Sequence, residues 1–217
     1  MEFDPESVGF SRVNLERLRK FLLSTHQKGN LLGASVQVTR GGNAIEPFCV
    51  GRRRIADKKA VVQADTIFLM ASITKPIVVA AFASLIEKGE VSLDDYVAEL
   101  VPGFEIKGKS GVLIRHLMTH TSGLPDQIPE NRSYRQEHRP LSDFITRICG
   151  LPLFFEPGTK VSYQSSGIAI LGEIIERITG KGLQDYLREI FFSPLNLKDT
   201  NLGIRTRSER ESDVLMG

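Results

Sequence analysis

The sequence predicts an α+β fold in which a first helix and antiparallel strands precede a mainly helical block. Residues 34–39 alternate between apolar and polar side chains, which is typical of a half-buried strand. Gly41-Gly42-Asn43 then favours a hairpin turn into a second strand that ends near Val50. After residue 72, apolar side chains recur at intervals of three and four residues, as they do in amphipathic helices.

The first helix is predicted to start at Ser11, because a serine side chain can accept a hydrogen bond from the first helical N–H groups. Its apolar residues share one face: Val13, Leu15, Leu18 and Leu22. A third short strand is predicted over 66–70, directly before Ser72. Ser72 can cap the next helix, with Pro76 in the first turn, where a missing N–H costs no internal hydrogen bond.

The helical block is predicted from apolar patterns that recur along one helix face. Its first helix follows Ser72 and ends at Gly89, and a short helix lies over 113–120. Three further helices are marked by apolar sets: Leu141, Phe144, Ile145 and Ile148; Ile168, Leu171, Ile174, Ile175 and Ile178; and Leu183, Tyr186, Leu187, Ile190 and Phe191. We therefore divide the chain into residues 1–70, residues 71–203 and a polar tail over 204–217.

Length and composition are those of an ordinary globular protein. The 217 residues are 41% hydrophobic and 25% charged, and a formal net charge of +2 gives no electrostatic case for nucleic-acid binding. No apolar run is long enough to span a membrane, and the first residues lack a signal-peptide pattern, which predicts a cytoplasmic location. Cys49 and Cys149 lack metal or redox spacing, so we expect neither a cofactor nor a metal site.

Ser72 and Lys75 form an S-x-x-K pattern at the predicted start of a helix. A spacing of three places both side chains on one face, about one turn apart. A serine hydroxyl is a weak nucleophile until a base removes its proton, and a partly desolvated lysine can be that base. The helix N-terminus adds positive potential, which favours a developing oxyanion. Because about one S-x-x-K is expected by chance in such a chain, the surrounding sequence must decide.

That surrounding sequence resembles the class C β-lactamase-like serine hydrolases and the related penicillin-binding proteins and esterases. One stretch, I-R-H-L-M-T-H-T-S-G-L-P over 114–125, is close to a signature loop of this family. Five other segments are also similar, and they occur in the same order as in the family: 65–76, 85–95, 155–165, 171–176 and 194–200. The resemblance runs from about residue 5 to residue 203 and implies a β-lactamase/transpeptidase-like fold.

The resemblance implies a role for each matching residue. Ser72 would be the nucleophile and Lys75 its activating neighbour. Tyr163 would be a second proton-transfer group, since an adjacent ammonium group favours the phenolate. Ser165 stands where many relatives carry Asn, and would help to orient the substrate or Lys75.

The implied function is that of a serine hydrolase that acts on an ester, amide or β-lactam carbonyl, with a carboxylesterase favoured. A non-catalytic binding or assembly module with the same fold remains an alternative. Residues 103–110 also match the P-loop pattern G-x-x-x-x-G-K-S, although a phosphate cradle needs a buried strand directly before it. His116 and His120 could face one metal ion, but no third ligand is evident and buried, hydrogen-bonded histidines are favoured.

The family's third motif, K-T-G or H-x-G, does not follow Tyr163 in this sequence. Lys109-Ser110-Gly111 fits the pattern but precedes Tyr163, and we interpret it as chance. We therefore expect that the C-terminal strands of the sheet are missing and that the polar tail leads to a missing segment. We also expect weak catalysis by this chain alone, and self-association through an open sheet edge.

Overall fold

The computed structural model describes residues 4–55, 57 and 59–203, which form two compact units. The first unit ends at Met70, and the second covers Ala71–Gly203. The predicted polar tail over 204–217 lies outside the described residues.

The first unit begins with a 3₁₀ turn over Pro5–Val8 and a long helix, α1, over Arg12–Gln27. Ser11 caps α1 as predicted, because its hydroxyl accepts a hydrogen bond of 3.3 Å from the N–H of Asn14.

Four short strands follow α1: β1 over Gly33–Val36, β2 over Thr39–Arg40, β3 over Asn43–Ala44 and β4 over Phe48–Gly51. Strands β1 and β4 pair in an antiparallel manner, and β2 and β3 form a separate hairpin. The hairpin turn lies at Gly41 and Gly42, which have φ values of 55° and 79°. The predicted strand over 34–39 is thus divided between β1 and β2.

The strand predicted over 66–70 is wrong. Only an isolated bridge at Ile67 forms there. The chain before it closes a local turn, in which the N–H of Thr66 bonds to the carbonyl of Gln63 and the N–H of Gln63 bonds to the Thr66 hydroxyl. The apolar side chains that suggested a strand are not buried, and Leu69 is 84% exposed.

The second unit is helical: α2 over Thr74–Glu87, α3 over Val97–Leu100, α4 over Ile114–Met118, α5 over Asn131–Gln136, α6 over Leu141–Cys149, α7 over Ser166–Thr179 and α8 over Leu183–Leu187. A π-helical turn over Arg188–Phe192 continues α8. The five predicted helices are confirmed. Helices α3 and α5 were not predicted, because α3 is a single turn of four residues and α5 lacks a repeat of apolar residues.

Helix α7 is central to this unit and packs against α2, α4, α6 and α8. Its predicted apolar stripe is the core of the unit, and its most buried members are Leu171, Ile174 and Ile175. Gly172 allows close packing, since a Cβ there would lie 3.0 Å from the Leu183 side chain.

The start of α2 differs from the prediction in one respect. Ser72 is not the cap of the helix but the middle residue of a 3₁₀ turn over Ala71–Ile73, and α2 begins at Thr74. Pro76 lies in the first turn of α2, as predicted. Within the described residues, no helix is both long and apolar enough to cross a membrane.

Candidate active site

Ser72 and Lys75 lie next to each other at the start of α2. The Nζ atom of Lys75 donates a hydrogen bond of 3.0 Å to the Oγ atom of Ser72. The preceding residue, Ala71, has a left-handed φ of 45°, a conformation that costs energy for any residue except glycine. This turn brings Ser72 to the surface, where its side chain is exposed.

Tyr163 lies beside this pair, although it comes from a segment far along the chain. The Nζ atom of Lys75 is 4.7 Å from the centre of the Tyr163 ring. Hydrogen bonding with Lys75, and next with Ser72, holds the pKa of Tyr163 below its ordinary value. The Tyr163 side chain is 51% exposed, so the three side chains are open to a ligand from solvent.

Residues 120–126 hold the segment that carries Tyr163. Three backbone hydrogen bonds of 2.8 Å join the two segments: Phe154 N–H to Gly123 O, Gly158 N–H to Thr121 O, and Ser162 N–H to His120 O. The loop over 114–125 therefore positions the Y-x-S segment, residues 163–165, beside α2.

Gly123 is required where these two segments meet. It has a φ of 81°, and a Cβ atom at this position would overlap the carbonyl oxygen of Phe155. Only glycine fits this backbone path without displacing the neighbouring chain.

A buried polar contact joins the same two segments from the inside. The hydroxyl of Ser122 donates a hydrogen bond of 2.7 Å to Gln164 Oε1 and accepts one of 3.1 Å from the N–H of Leu124. Ser122 and Gln164 are fully buried. Sequence reasoning missed this contact, because two polar residues 42 positions apart give no periodic signal.

Ser165 is directed towards Asp126. Its N–H and its hydroxyl donate hydrogen bonds of 2.7 and 2.8 Å to Oδ1 of Asp126. Its predicted role in orienting the substrate or Lys75 stays a prediction. Asp126 was not predicted as part of a site, since it lies just after the recognised loop.

His120 lies against Tyr163, with ring centres 5.0 Å apart. Burial, and then the charge of Lys75, lower the pKa of His120, while Asp126 acts in the opposite direction. Its Nδ1 atom is buried and has no hydrogen-bond partner among the described residues.

A sequence model of the family named Beta-lactamase matches residues 18–213. This chain belongs to the beta-lactamase family. The match includes every residue of the candidate site, and it confirms the resemblance on which the predicted fold depended.

Two curated proteins are among the relatives of this family member. Esterase EstB from Burkholderia gladioli is 31% identical, over 90% of this chain and 54% of EstB. Penicillin-binding protein 4* from Bacillus subtilis is 29% identical, over 93% of this chain and 44% of that protein. The chain therefore spans about half the length of the curated relatives that it matches.

Solved structures of similar fold agree with this assignment. EstCE1, described as a hydrolase with promiscuous acyltransferase activity, has a TM-score of 0.78 at 25% identity, over 93% of this chain and 55% of EstCE1. The octameric penicillin-binding protein homologue from Pyrococcus abyssi has a TM-score of 0.81 at 24% identity, over 94% and 48% of the two chains. The predicted β-lactamase/transpeptidase-like fold is confirmed.

The two histidines considered as metal ligands have other surroundings in this beta-lactamase-family chain. The Nδ1 atom of His116 accepts a hydrogen bond of 3.1 Å from the N–H of Leu113, which satisfies a donor at the start of α4. Within residues 4–55, 57 and 59–203, no group of three or more potential ligands is placed to hold a metal ion.

The P-loop alternative fails at Lys109. Its side chain is fully buried, and Nζ donates hydrogen bonds of 2.7 Å to the carbonyl groups of Cys149 and Leu151, and another to that of Ile106. Lys109 thus binds carbonyl groups at the C-terminal end of α6 and in its own loop, and cannot reach a phosphate group in solvent. Burial lowers its pKa, the largest effect acting on this group.

Proposed function

We propose that this chain is a serine hydrolase that forms an acyl-enzyme at Ser72 with an ester, amide or β-lactam substrate. The observation that carries the proposal is the hydrogen bond of 3.0 Å between Lys75 Nζ and Ser72 Oγ, beside Tyr163. A nucleophile in contact with a cation and with a phenol of lowered pKa is an arrangement suited to acyl transfer.

In the proposed first step, Ser72 Oγ attacks the substrate carbonyl carbon. The oxygen–carbon bond forms, the carbonyl π electrons move to the oxygen, and the hydroxyl proton passes to Tyr163. The cationic Lys75 favours the phenolate that receives this proton. The N-terminus of α2 supplies positive potential for the developing oxyanion. When the tetrahedral intermediate collapses, the leaving group departs with the proton from Tyr163.

Water then completes the proposed cycle. It gives up a proton to Tyr163 as it attacks the acyl carbon, and the collapse of the second intermediate returns that proton to Ser72 Oγ. Ser72 as the nucleophile and Tyr163 as the proton-transfer group can therefore serve in both half-reactions.

The names of the relatives support an ester as the first substrate class to test. EstB is named an esterase, and EstCE1 is described as a hydrolase with promiscuous acyltransferase activity. Small-molecule esters are accordingly the partners that we propose, and amides and lactams are the further candidates.

Hydrolysis of p-nitrophenyl acetate tests the proposal. We expect turnover above the buffer rate that Ser72→Ala abolishes, while Ser133→Ala, at an exposed serine of α5, retains it. Equal rates from the natural chain and Ser72→Ala, with both folded, would favour a non-catalytic binding or assembly module.

A further inference from the structure

Asp126 is joined to two consecutive residues that follow Tyr163. Besides the two hydrogen bonds that its Oδ1 atom accepts from Ser165, its carbonyl oxygen accepts bonds of 3.0 and 3.1 Å from the N–H and hydroxyl of Ser166. Ser165 is only two residues beyond Tyr163, and Ser166 is the first residue of α7. These contacts fix the chain where the Tyr163 segment becomes a helix.

We propose that Asp126 is a positioning residue for the reaction at Ser72, which holds Tyr163 in place through Ser165 and moderates the field of Lys75 around the phenol. The inference rests on the proposed function of the site. Asp126 acts through other residues, so it is not itself a catalytic residue.

The effect of the Asp126 charge on Tyr163 depends on the other groups around the phenol. Lys75 and Ser72 lie beside it at the start of α2, and the His120 ring lies against its ring. The Asp126 carboxylate binds Ser165, two residues beyond Tyr163. Asp126 opposes Lys75 at both rings: its negative charge acts to raise the pKa of Tyr163 and that of His120. Loss of this charge alone should therefore leave Tyr163 deprotonated at a lower pH.

The role of Asp126 in holding Tyr163 follows from the short length of chain between Ser165, which Asp126 binds, and Tyr163. A trans peptide advances the chain by about 3.8 Å per residue, so a shift of Ser165 is passed to Tyr163 with little room to be absorbed. Displacement of a reacting group by about 1 Å can cost roughly 100-fold in rate. Loss of the anchor should thus slow acylation without weakening the binding of a small substrate.

A purely structural role makes a different prediction. A carboxylate near the N-terminus of α7 also interacts favourably with the helix dipole, which would stabilise the fold without affecting the reaction. That role predicts a lower melting temperature with an unchanged pH profile. The pH profile therefore distinguishes a positioning residue from a helix cap.

Labelling with a fluorophosphonate probe measures the acylation step alone. In this reaction the bond from Ser72 Oγ to phosphorus forms, the phosphorus–fluorine bond breaks, fluoride leaves, and the hydroxyl proton passes to Tyr163. The rate at saturating probe reports the chemical step, and the half-saturating concentration reports binding. Three variants separate the two parts of the proposal: Asp126→Asn, Asp126→Ala and Ser165→Ala.

We expect Asp126→Ala and Ser165→Ala to lower the saturating rate by about 10- to 100-fold with little change in half-saturation. Asp126→Asn keeps an oxygen acceptor for Ser165 but removes the charge, so the acidic limb of its rate profile should move to lower pH. The limb should not move in Ser165→Ala, which keeps the charge. Asp143→Asn, at a carboxylate of α6, is the matched control and should behave as the natural chain.

Unchanged rates and pH profiles in all three Asp126 and Ser165 variants would overturn the inference, even if their melting temperatures fell. If the natural chain labels at Ser72 in that case, the proposed function survives. If the natural chain does not label at Ser72 at all, the proposed function and this inference both fail.

Discussion

Tyr163 lies close to the ammonium group of Lys75 and to the imidazole ring of His120, and Lys75 has the larger effect on its acidity. Lys75 lies 4.7 Å from the centre of its ring, and the His120 ring lies 5.0 Å from it. Since the pKa of Tyr163 is lowered, we expect its phenolate to form at a lower pH than that of a free tyrosine, near 10. Acylation should then rise with pH below that value.

Removal of either neighbour of Ser72 tests the assigned roles. We expect Lys75→Ala and Tyr163→Phe each to lower the rate of acylation by about 10²- to 10⁴-fold. Tyr163→Phe removes the group that accepts the proton, and Lys75→Ala removes the charge that favours its phenolate. Stopped-flow labelling would measure the rate, and circular dichroism would check the fold. Lys88→Ala, at the end of α2, and Tyr96→Phe are the matched controls. Natural rates in both site variants would mean that the roles are wrongly assigned.

Lys109 stabilises the fold instead of binding a phosphate group. Lys109→Met should lower the free energy of unfolding by about 3 kcal/mol or more, because it leaves buried carbonyl groups without a donor. Urea denaturation would measure this loss, with Lys160→Met, at an exposed lysine, as the control. Equal stability of the two variants would contradict the role given to Lys109.

For individual residues, the sequence predicts side-chain contacts between near neighbours in the chain and misses contacts between distant residues. The spacing of Ser72 and Lys75 was enough to predict their contact, because one helical turn separates them. Tyr163 required the resemblance to a family. Asp126 and Gln164 could not be found, since their partners lie 39 and 42 positions away and are set by the tertiary fold.

The backbone contacts between residues 120–126 and the segment over 154–163 hold the candidate site together. We call these contacts the crossing. Gly123 combines a left-handed backbone with a close approach to the Phe155 carbonyl. Gly103 has a similar φ of 82° but no atom of the described residues within 4 Å of an added Cβ. Substitutions at these two glycines therefore distinguish the cost of a left-handed backbone, present at both, from the cost of the close approach, present only at Gly123.

We expect Gly103→Ala to cost about 1 kcal/mol of stability, the strain of a left-handed alanine. Gly123→Ala should cost more and should also slow labelling of Ser72, because the overlap moves the segment that carries Tyr163. Denaturation and labelling of both variants would measure the difference. Equal effects of the two substitutions would show that the crossing does not control the site.

The two histidines of the 114–125 loop make stability depend on pH. Burial is the largest cause that lowers the pKa of both His116 and His120, so the unfolded chain binds protons at a higher pH than the folded chain. As pH falls below about 6.5, the free energy of unfolding therefore decreases until the lower folded-state pKa values are passed.

Melting temperatures measured between about pH 7 and pH 5 should show this decrease. His116→Gln and His120→Gln should each flatten the decrease relative to the natural chain. His138→Gln, at an exposed histidine, should not. A slope unchanged by the first two substitutions would contradict the assignment.

Among the elements, helices with a buried apolar stripe were predicted well, including the short helices α4 and α8, and segments without such a stripe were not. The apolar stripe of α7 is buried along its length, so its period appears directly in the sequence. The segment over 66–70 is also apolar, but Ile67 and Phe68 are only half-buried, Leu69 and Met70 are exposed, and the pairing there is limited to an isolated bridge at Ile67. Composition alone could not distinguish these two outcomes.

For the whole molecule, the structure forms two compact units, of which the first carries strands β1–β4 and the second is helical. The predicted division into residues 1–70, 71–203 and 204–217 stays a prediction. The side chains described at the candidate site all belong to the second unit: Ser72, Lys75, His120, Asp126, Tyr163 and Ser165. Strands β1 and β4 pair with each other in a two-stranded sheet in the described part of the first unit. Self-association through an open edge of that sheet stays a prediction.

The central claim is that Ser72 is an activated nucleophile. Its most direct test is peptide mapping by mass spectrometry after the folded chain reacts with a fluorophosphonate probe. We expect one adduct, on the peptide that contains Ser72, and none in Ser72→Ala. A folded chain that carries no adduct, or carries it at another serine, would contradict the claim.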